Sequence, residues 1–359
     1  MCKIVLTTGG TGGHIFPALA VACALRELEP KCELLFMGAN YGPEATLAAQ
    51  AGVPFIGLNV RGFLGRGLAA FKAFALMLRA QVKARQILQE FRPACVVGFG
   101  SYAAFAPMLA AQLLGIPTIL HEQNAVAGTS NRILGFRAKQ ICLTLRHTLG
   151  FKAQKCVLTG NPVRANLVQV AHERVHHEPN NRHLLVLGGS QGCHALNAFM
   201  VQHLKSFKAQ DVQIYHQTGK ADFKSVQAAY VQAGYAKDSV LDFVSDMHEL
   251  YAWADLAFCR AGASTVAELA VLGLPAVFVP FPYAIHNHQL RNGEEVAQAG
   301  GGLVLLESEL AKATSLEMLL NLLQDIPRLK SMQEKVKTLA KPQAAQDVAR
   351  LALKYAHKT

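Results

Sequence analysis

Nowhere is the sequence apolar over the roughly eighteen consecutive residues that a membrane-spanning helix requires, although 51% of its 359 residues are hydrophobic and only 16% are charged. That lack excludes a spanning helix. The eight cysteines include no CxxC pair and fall mostly in apolar contexts, so they read as reduced core residues rather than a metal or disulfide framework. A single Trp and the absence of any nucleic-acid motif speak against a nucleic-acid partner, although the formal charge of +11 still points to something anionic. No P-loop is present, and no dinucleotide fingerprint: in GGTGGHI the third glycine of GxGxxG would fall on Ile15. The opening MCKIVLTTGGTGG lacks the cationic head and long apolar core of a signal peptide, so a cytoplasmic location is expected.

What is present is an alternation of short apolar runs with longer segments of helical period. Lys3 to Thr8, Cys32 to Met37, Cys95 to Gly98 and Thr118 to His121 read as buried strands, with a helix expected over Pro17 to Glu29. Residues Gly160 to Arg182, with Pro162, Pro179 and the polar HERVHHEPNNRH, read as a linker. A second series then follows: His183 to Leu187, Val212 to His216, Leu256 to Cys259 and Pro275 to Val279. The expected fold is α/β, two Rossmann-like doubly wound parallel-sheet domains facing a central cleft. Their expected extents are 1–163 and 164–340, with a helix over about 341–359 that could belong to either.

Each half opens with a strand, a glycine-rich turn and a helix: KIVLTTGGTGGH and HLLVLGGSQGCHALN. Glycines there let a backbone approach a phosphate, and the helix N-terminus offers N–H groups to it; a tight turn for close helix packing is the other reading. In CRAGASTVAELAVLGLPAVFVPFPYAIHNHQLRN, small residues open a helix carrying Glu268, which is placed either to accept ribose hydroxyls or merely to favour the helix dipole. Gln289 and Asn292 could read sugar hydroxyls.

The blocks TGGTGGHIFPALA, GFGSYAAFAPMLAA, LHEQNAVAGTSNRIL, GNPVR, GGSQGCHALN, HQTG and RAGASTVAELAVLGLPAVFVPFPYAIHNHQLRN together resemble the MurG family of bacterial glycosyltransferases. The resemblance implies a GT-B fold and inverting transfer of N-acetylglucosamine from UDP-N-acetylglucosamine to the 4-hydroxyl of lipid I, undecaprenyl-pyrophosphoryl-N-acetylmuramoyl pentapeptide. The product would be lipid II, for peptidoglycan synthesis and hence cell shape and division. It also implies no cofactor and no required metal, and a peripheral seat on the cytoplasmic face of the inner membrane. Carried over position by position, it puts Thr11, Gly12, Gly13 and Asn124 at the donor sugar, and Ser190 and Arg164 at the diphosphate. It further puts the Val244 backbone at the uracil, Glu268 at the ribose, Ala263, Ser264, Thr265, Val266 and Ala267 along the sugar and diphosphate, and Gln289 at a sugar hydroxyl.

His14 is the candidate general base, an imidazole whose ordinary pKa of about 6.5 suits proton transfer near neutrality; a positioning role is the competing reading. His121 and Glu122 read as a structural hydrogen-bond pair. The chain departs from the family pattern at Ser101 and Ala104, where glycine and serine are common, and at Cys193 and His194, where alanine and arginine are usual.

Between Arg61 and Arg92 seven basic residues accompany one acid, and Leu64, Leu68, Phe71, Ala75, Leu78 and Val82 recur at helical spacing, with Phe74 and Met77 broadening the stripe. Core packing is one reading, and a peripheral contact with anionic headgroups the favoured one. Rival functions are a glycolipid synthase using UDP-galactose and diacylglycerol, a nicotinamide-dependent dehydrogenase and a non-enzymatic membrane scaffold.

Overall fold

The computed structural model describes residues 2–10, 12–60, 69–174, 182–189, 191–244 and 246–357, with backbone only at 69–74 and 173. The chain divides into two compact units, Met1–Arg164 with Lys341–Thr359, and Ala165–Ala340.

In the first unit seven parallel strands are ordered β3-β2-β1-β4-β5-β6-β7: β1 Lys3–Thr7, β2 Glu33–Ala39, β3 Phe55–Leu58, β4 Cys95–Gly98, β5 Thr118–Glu122, β6 Gln140–Leu143 and β7 Cys156–Leu158. The central strands are apolar without alternation because both sheet faces are covered: Ile4, Val5 and Leu6 are all fully buried. The covering helices are α1 Gly12–Leu28, α2 Glu44–Gln50, α3 Ala69–Phe91, α4 Ser101–Leu113 and α5 Thr129–Gly135. The last helix of the chain, α14 Ala344–Ala356, joins them: its Ala345, Val348, Ala349 and Ala352 share one core with Ile15, Ala18, Ala22 and Leu25 of α1. Small residues on both helices permit that close approach.

The second unit has six parallel strands ordered β10-β9-β8-β11-β12-β13: β8 His183–Leu187, β9 Gln213–Gln217, β10 Val240–Leu241, β11 Leu256–Cys259, β12 Ala276–Phe278 and β13 Gly302–Val304. Around it lie α6 Ala165–Glu173, α7 His194–Ala209, α8 Phe223–Gln232, α9 His248–Trp253, α10 Ala263–Leu272, α11 His288–Gln298, α12 Ala313–Gln324 and α13 Ile326–Lys337. Two parallel-sheet α/β units of this kind make the fold GT-B, as expected.

Two expectations are corrected. Helix α1 begins at Gly12 rather than near Pro17, so Gly12, Gly13 and His14 form its first turn. The stretch read as a linker is structured up to Arg174, with 175–181 outside the described residues: α6 occupies Ala165–Glu173, and Leu167, Val170 and Arg174, spaced at three and four residues, are buried. Arg174 donates to the carbonyls of Tyr251, Ala252, Ala254 and Leu272, which is why so polar a segment can pack.

In both sheets the order reverses beside the first strand, between β1 and β4 and between β8 and β11. Open α/β sheets bind ligands outside the carboxyl ends of the strands at that reversal. The two glycine-rich turns leave β1 and β8 at those points.

Candidate functional site

In the first unit the turn after β1 is held from beneath. Gly10, at φ 93°, donates its N–H to Oε1 of Glu44 at 2.9 Å, and the Glu44 carboxylate is fully buried. A Cβ on Gly9 would stand 2.8 Å from Glu44 Oε1 and 2.6 Å from the Ala103 side chain, so the turn has no room for one. The Phe16 ring folds back over Gly12, and the Arg164 guanidinium lies 4.5 Å from that ring's centroid. Arg164 ends the first segment of the first unit, so it belongs there and not to the second domain, where the division expected at 163/164 had put it.

His14 projects from the first turn of α1 toward the end of β5. Its Nδ1 lies 3.1 Å from Oε1 of Gln123; the Gln123 amide nitrogen in turn meets the Phe99 carbonyl at 3.0 Å and His121 Nδ1 at 3.1 Å. His121 Nε2 contacts the Gly160 carbonyl at 2.9 Å, and complete burial pushes the His121 pKa down to about 4. Next to this chain the Glu122 carboxylate receives the Asn124 N–H and amide on one oxygen, and the Gly128 N–H and Asn131 amide on the other. His121 and Glu122 thus form the structural network that was read for them. Asn124 is only half-buried, at the turn this carboxylate shapes.

In the second unit, Gly189 and Gly192 of the turn after β8 take φ of 82° and 79°. A Cβ on Gly192 would sit 2.3 Å from the Thr218 carbonyl oxygen, so only glycine fits there. Gln217 ties this turn to the segment after β10: its amide donates to the Gly189 carbonyl at 3.1 Å and to the Asp242 carbonyl at 3.2 Å, two residues before half-buried Val244. Across the strand-order reversal, β11 leads into α10, whose cap Gly262 contributes no side-chain hydrogen bond. Ala263, Ser264 and Thr265 make the first turn, with Val266 and Ala267 following. The Glu268 carboxylate, 9% exposed, accepts a hydrogen bond from the buried Tyr251 hydroxyl at 2.9 Å. Gln289, in the first turn of α11, accepts the Phe281 N–H through Oε1 at 3.0 Å. Asn292, expected to read a sugar, is instead fully buried and donates to the Ala261 carbonyl, so it holds the approach to α10.

The structure therefore gathers Gly12, Gly13, His14, Asn124 and Arg164 around the carboxyl end of the first sheet, and Val244, Ala263 to Glu268 and Gln289 around that of the second. Thr11 and Ser190 lie outside the described residues. Among the described residues no three His, Cys, Asp or Glu side chains gather as ligands for a metal ion. Gln123, Gln217, Tyr251 and Glu44 were not foreseen. Gln123 and Gln217 stood inside quoted blocks, but apart from His121 what they touch lies far away in sequence; Tyr251 and Glu44 carried no signal.

The family model described as the glycosyltransferase family 28 N-terminal domain matches residues 4–143, and the family 28 C-terminal domain matches residues 183–348. The chain is 46% identical to the UDP-N-acetylglucosamine--N-acetylmuramyl-(pentapeptide) pyrophosphoryl-undecaprenol N-acetylglucosamine transferase of Nitratidesulfovibrio vulgaris strain Miyazaki F, covering 96% of this chain and 95% of that protein. It is 44% identical to the transferase of the same name from Lawsonia intracellularis, covering 92% and 91%. The crystal structure of Acinetobacter baumannii MurG superposes with a TM-score of 0.80 at 32% identity, over 99% of this chain and 100% of that one. A UDP-GlcNAc 2-epimerase from Neisseria meningitidis, bound to UDP-GlcNAc, matches at a TM-score of 0.69 over 98% and 100%, but at 13% identity it shares the fold alone.

Proposed function

The chain belongs to the MurG branch of glycosyltransferase family 28, and on that premise we propose that it transfers N-acetylglucosamine from UDP-N-acetylglucosamine to the 4-hydroxyl of the N-acetylmuramoyl sugar of lipid I, giving lipid II for peptidoglycan synthesis. The observation that carries this reading is the identity of 46% with a curated transferase of that name, spread over 96% of the chain.

The second unit binds the donor. The ribose hydroxyls meet Glu268, whose carboxylate is oriented by Tyr251. The diphosphate meets the turn holding Ser190 and the opening residues of α10, Ala263 to Ala267, where N–H groups and the helix dipole favour an anion. Backbone groups at Val244 hold the uracil edge, and Gln289 reads a hydroxyl of the sugar. The first unit carries the acceptor, with Thr11, Gly12, Gly13 and Asn124 near the transferring sugar. His14 takes the proton of the 4-hydroxyl as that oxygen bonds to the anomeric carbon, on the face opposite UDP, while the bond from that carbon to the diphosphate breaks. The negative charge released onto UDP is met by fixed amide dipoles and by the Arg164 guanidinium.

The enzyme rests on an anionic membrane surface, peripherally and on the cytoplasmic face. Among the described residues no helix is long and apolar enough to span a bilayer. Helix α3 nevertheless turns Leu78 and Val82 to solvent, 53% and 60% exposed, beside Arg79, Lys83 and Arg85. Phe136, just after α5, whose Leu134 shares a core with buried residues of α3 and α4, is 75% exposed between Arg132 and Arg137. An apolar stripe that avoids the core and is rimmed by cations suits an interfacial contact. Met77, which was expected to broaden the stripe, is buried instead. Arg61, Leu64, Arg66 and Leu68 lie outside the described residues, and of Phe71, Lys72 and Phe74 only the backbone is described.

The decisive assay is UDP release from UDP-N-acetylglucosamine that depends on added lipid I. Release that instead requires UDP-galactose and diacylglycerol would overturn the substrate assignment. Arg164→Ala should lower kcat/KM strongly and Glu268→Ala should chiefly weaken the donor. Full turnover in both would refute their roles even with the reaction established.

A further inference from the structure

Two backbone carbonyls, which can only accept hydrogen bonds, fix every proton in the chain of groups behind His14. The Phe99 carbonyl lies 3.0 Å from the Gln123 amide nitrogen, so that end of the amide is the NH2 and not the oxygen. The Gly160 carbonyl lies 2.9 Å from His121 Nε2, so this nitrogen carries the hydrogen and His121 Nδ1 is an acceptor. Nδ1 of His121 then receives the second N–H of Gln123, at 3.1 Å. Gln123 has only its oxygen left, and that oxygen faces His14 Nδ1 at 3.1 Å. His14 must therefore donate from Nδ1.

We propose that Gln123 is a positioning residue that holds His14 in its Nδ1–H tautomer, making Nε2 the basic nitrogen. The catalytic half of this proposal rests on the reading of His14 as general base. A neutral imidazole has one hydrogen, and the bond made by one ring nitrogen decides which nitrogen keeps the lone pair. The arrangement is preset rather than induced. Gln123 is 1% exposed and His121 fully buried, and the His14 ring packs against the next turn, where a Cβ on Gly100 would lie 3.7 Å from both its Cε1 and Nδ1. Burial also keeps His121 uncharged throughout the working range, so it stays an acceptor toward Gln123. This is the part a catalytic-triad carboxylate plays toward its histidine, performed by a neutral amide that is itself oriented by the main chain.

The test is nitrogen-15 spectroscopy of the histidine side chains in the full-length protein, with His14 assigned by the signal that vanishes in His14→Gln. The expected spectrum shows His14 protonated at Nδ1 and bare at Nε2 near neutral pH. In Gln123→Met, which keeps the volume and removes both donor and acceptor, His14 should become a mixture of tautomers. Its kcat should fall about ten- to hundredfold with the donor KM little changed, less than loss of a triad carboxylate costs because no charge is removed. A wild-type spectrum with the hydrogen on Nε2 overturns the proposal, and needs no variant to fold. Gln123→Met with the Nδ1–H tautomer and full turnover overturns it equally. The expected tautomer combined with undiminished turnover in His14→Gln overturns the base assignment and the catalytic part of Gln123, while the hydrogen-bond chain itself stands.

Discussion

Acid should destabilise the second unit chiefly through one residue, His216. This histidine lies on β9 with no exposed surface, and both its nitrogens are committed. Asn197 uses its amide nitrogen on the Thr218 carbonyl and Asp222, so its oxygen accepts from His216 Nε2 at 3.0 Å, and His216 Nδ1 accepts from the Tyr230 hydroxyl at 2.9 Å. Protonation would break the Tyr230 bond and leave a cation in the core, and burial accordingly pushes the His216 pKa down to about 3. The unfolded chain, with a histidine pKa of about 6.5, takes up the proton first. Stability from this group is thus intact above that pH and is lost as pH falls toward the folded value. The loss approaches about 1.4 kcal/mol per pH unit below the unfolded value, or about 2 kcal/mol between pH 6.5 and 4.5. Trp253 is the only Trp, belongs to this unit and stacks on His183 at 4.2 Å, so urea unfolding followed by its fluorescence reads the right transition. His216→Met should be weaker at pH 7.5 by about 2–4 kcal/mol, because it orphans the Tyr230 hydroxyl and the Asn197 oxygen. Its acid slope should be shallower than wild type by about 1.4 kcal/mol per pH unit. His203, also shifted down by partial burial, acts in both proteins and cancels in the comparison. Parallel slopes would refute the reasoning.

Three further outcomes each follow from a single residue. Arg174→Met should cost about 3–4 kcal/mol in the same fluorescence assay, because four inward carbonyls lose one buried guanidinium; a cost below about 1 kcal/mol would show that water replaces it. Ser101→Gly should stabilise the first unit by about 0.5–1 kcal/mol, measured by denaturant melts followed by circular dichroism, since Ser101 sits at φ 73° where a Cβ is strained. Tyr251→Phe should raise the KM for UDP-N-acetylglucosamine about fivefold with kcat nearly unchanged, as loss of about 1 kcal/mol of orientation at Glu268 predicts. A fall in kcat alone would place Glu268 away from the ground-state donor.

Strands were legible wherever the chain is buried on both sides of a sheet: Cys95–Gly98, His183–Leu187 and Leu256–Cys259 fall where the apolar runs put them. Helix boundaries were less so. Pro17 reads as a first-turn residue, yet α1 already starts at Gly12, because glycines at the end of a strand signal a turn and give no hint that the helix begins among them. The part of the supposed linker before residue 175 misled for a related reason, while 175–181 lie outside the described residues. HERVHHEPNNRH is polar by composition, but Arg174 lies in phase with Leu167 and Val170, and its guanidinium spends its charge on main-chain carbonyls that no local pattern displays.

The same asymmetry governs the candidate site. Motif blocks picked out the groups proposed to touch a ligand, His14, Arg164 and Glu268 among them, since their side chains carry chemistry recognisable in isolation. What aims those groups is a second set whose meaning is purely relational. Gln123 is 109 residues from His14, Tyr251 is 17 from Glu268 and Gln217 is 28 from Gly189, and each works by supplying a hydrogen or a lone pair in one direction. Glutamine or tyrosine at such a position is indistinguishable, in sequence, from one solvated at the surface. Ser101 shows the converse: the resemblance leads one to expect glycine there, and a reason for it becomes visible only as a left-handed backbone angle beside the Gly10 turn. If the tautomer of His14 is set through Gln123 by the Phe99 and Gly160 carbonyls, then the proton-accepting nitrogen is chosen by the residues just after β4 and β7 rather than by the helix turn that carries the histidine. Substitutions that shift those strand ends should then impair turnover without touching either substrate.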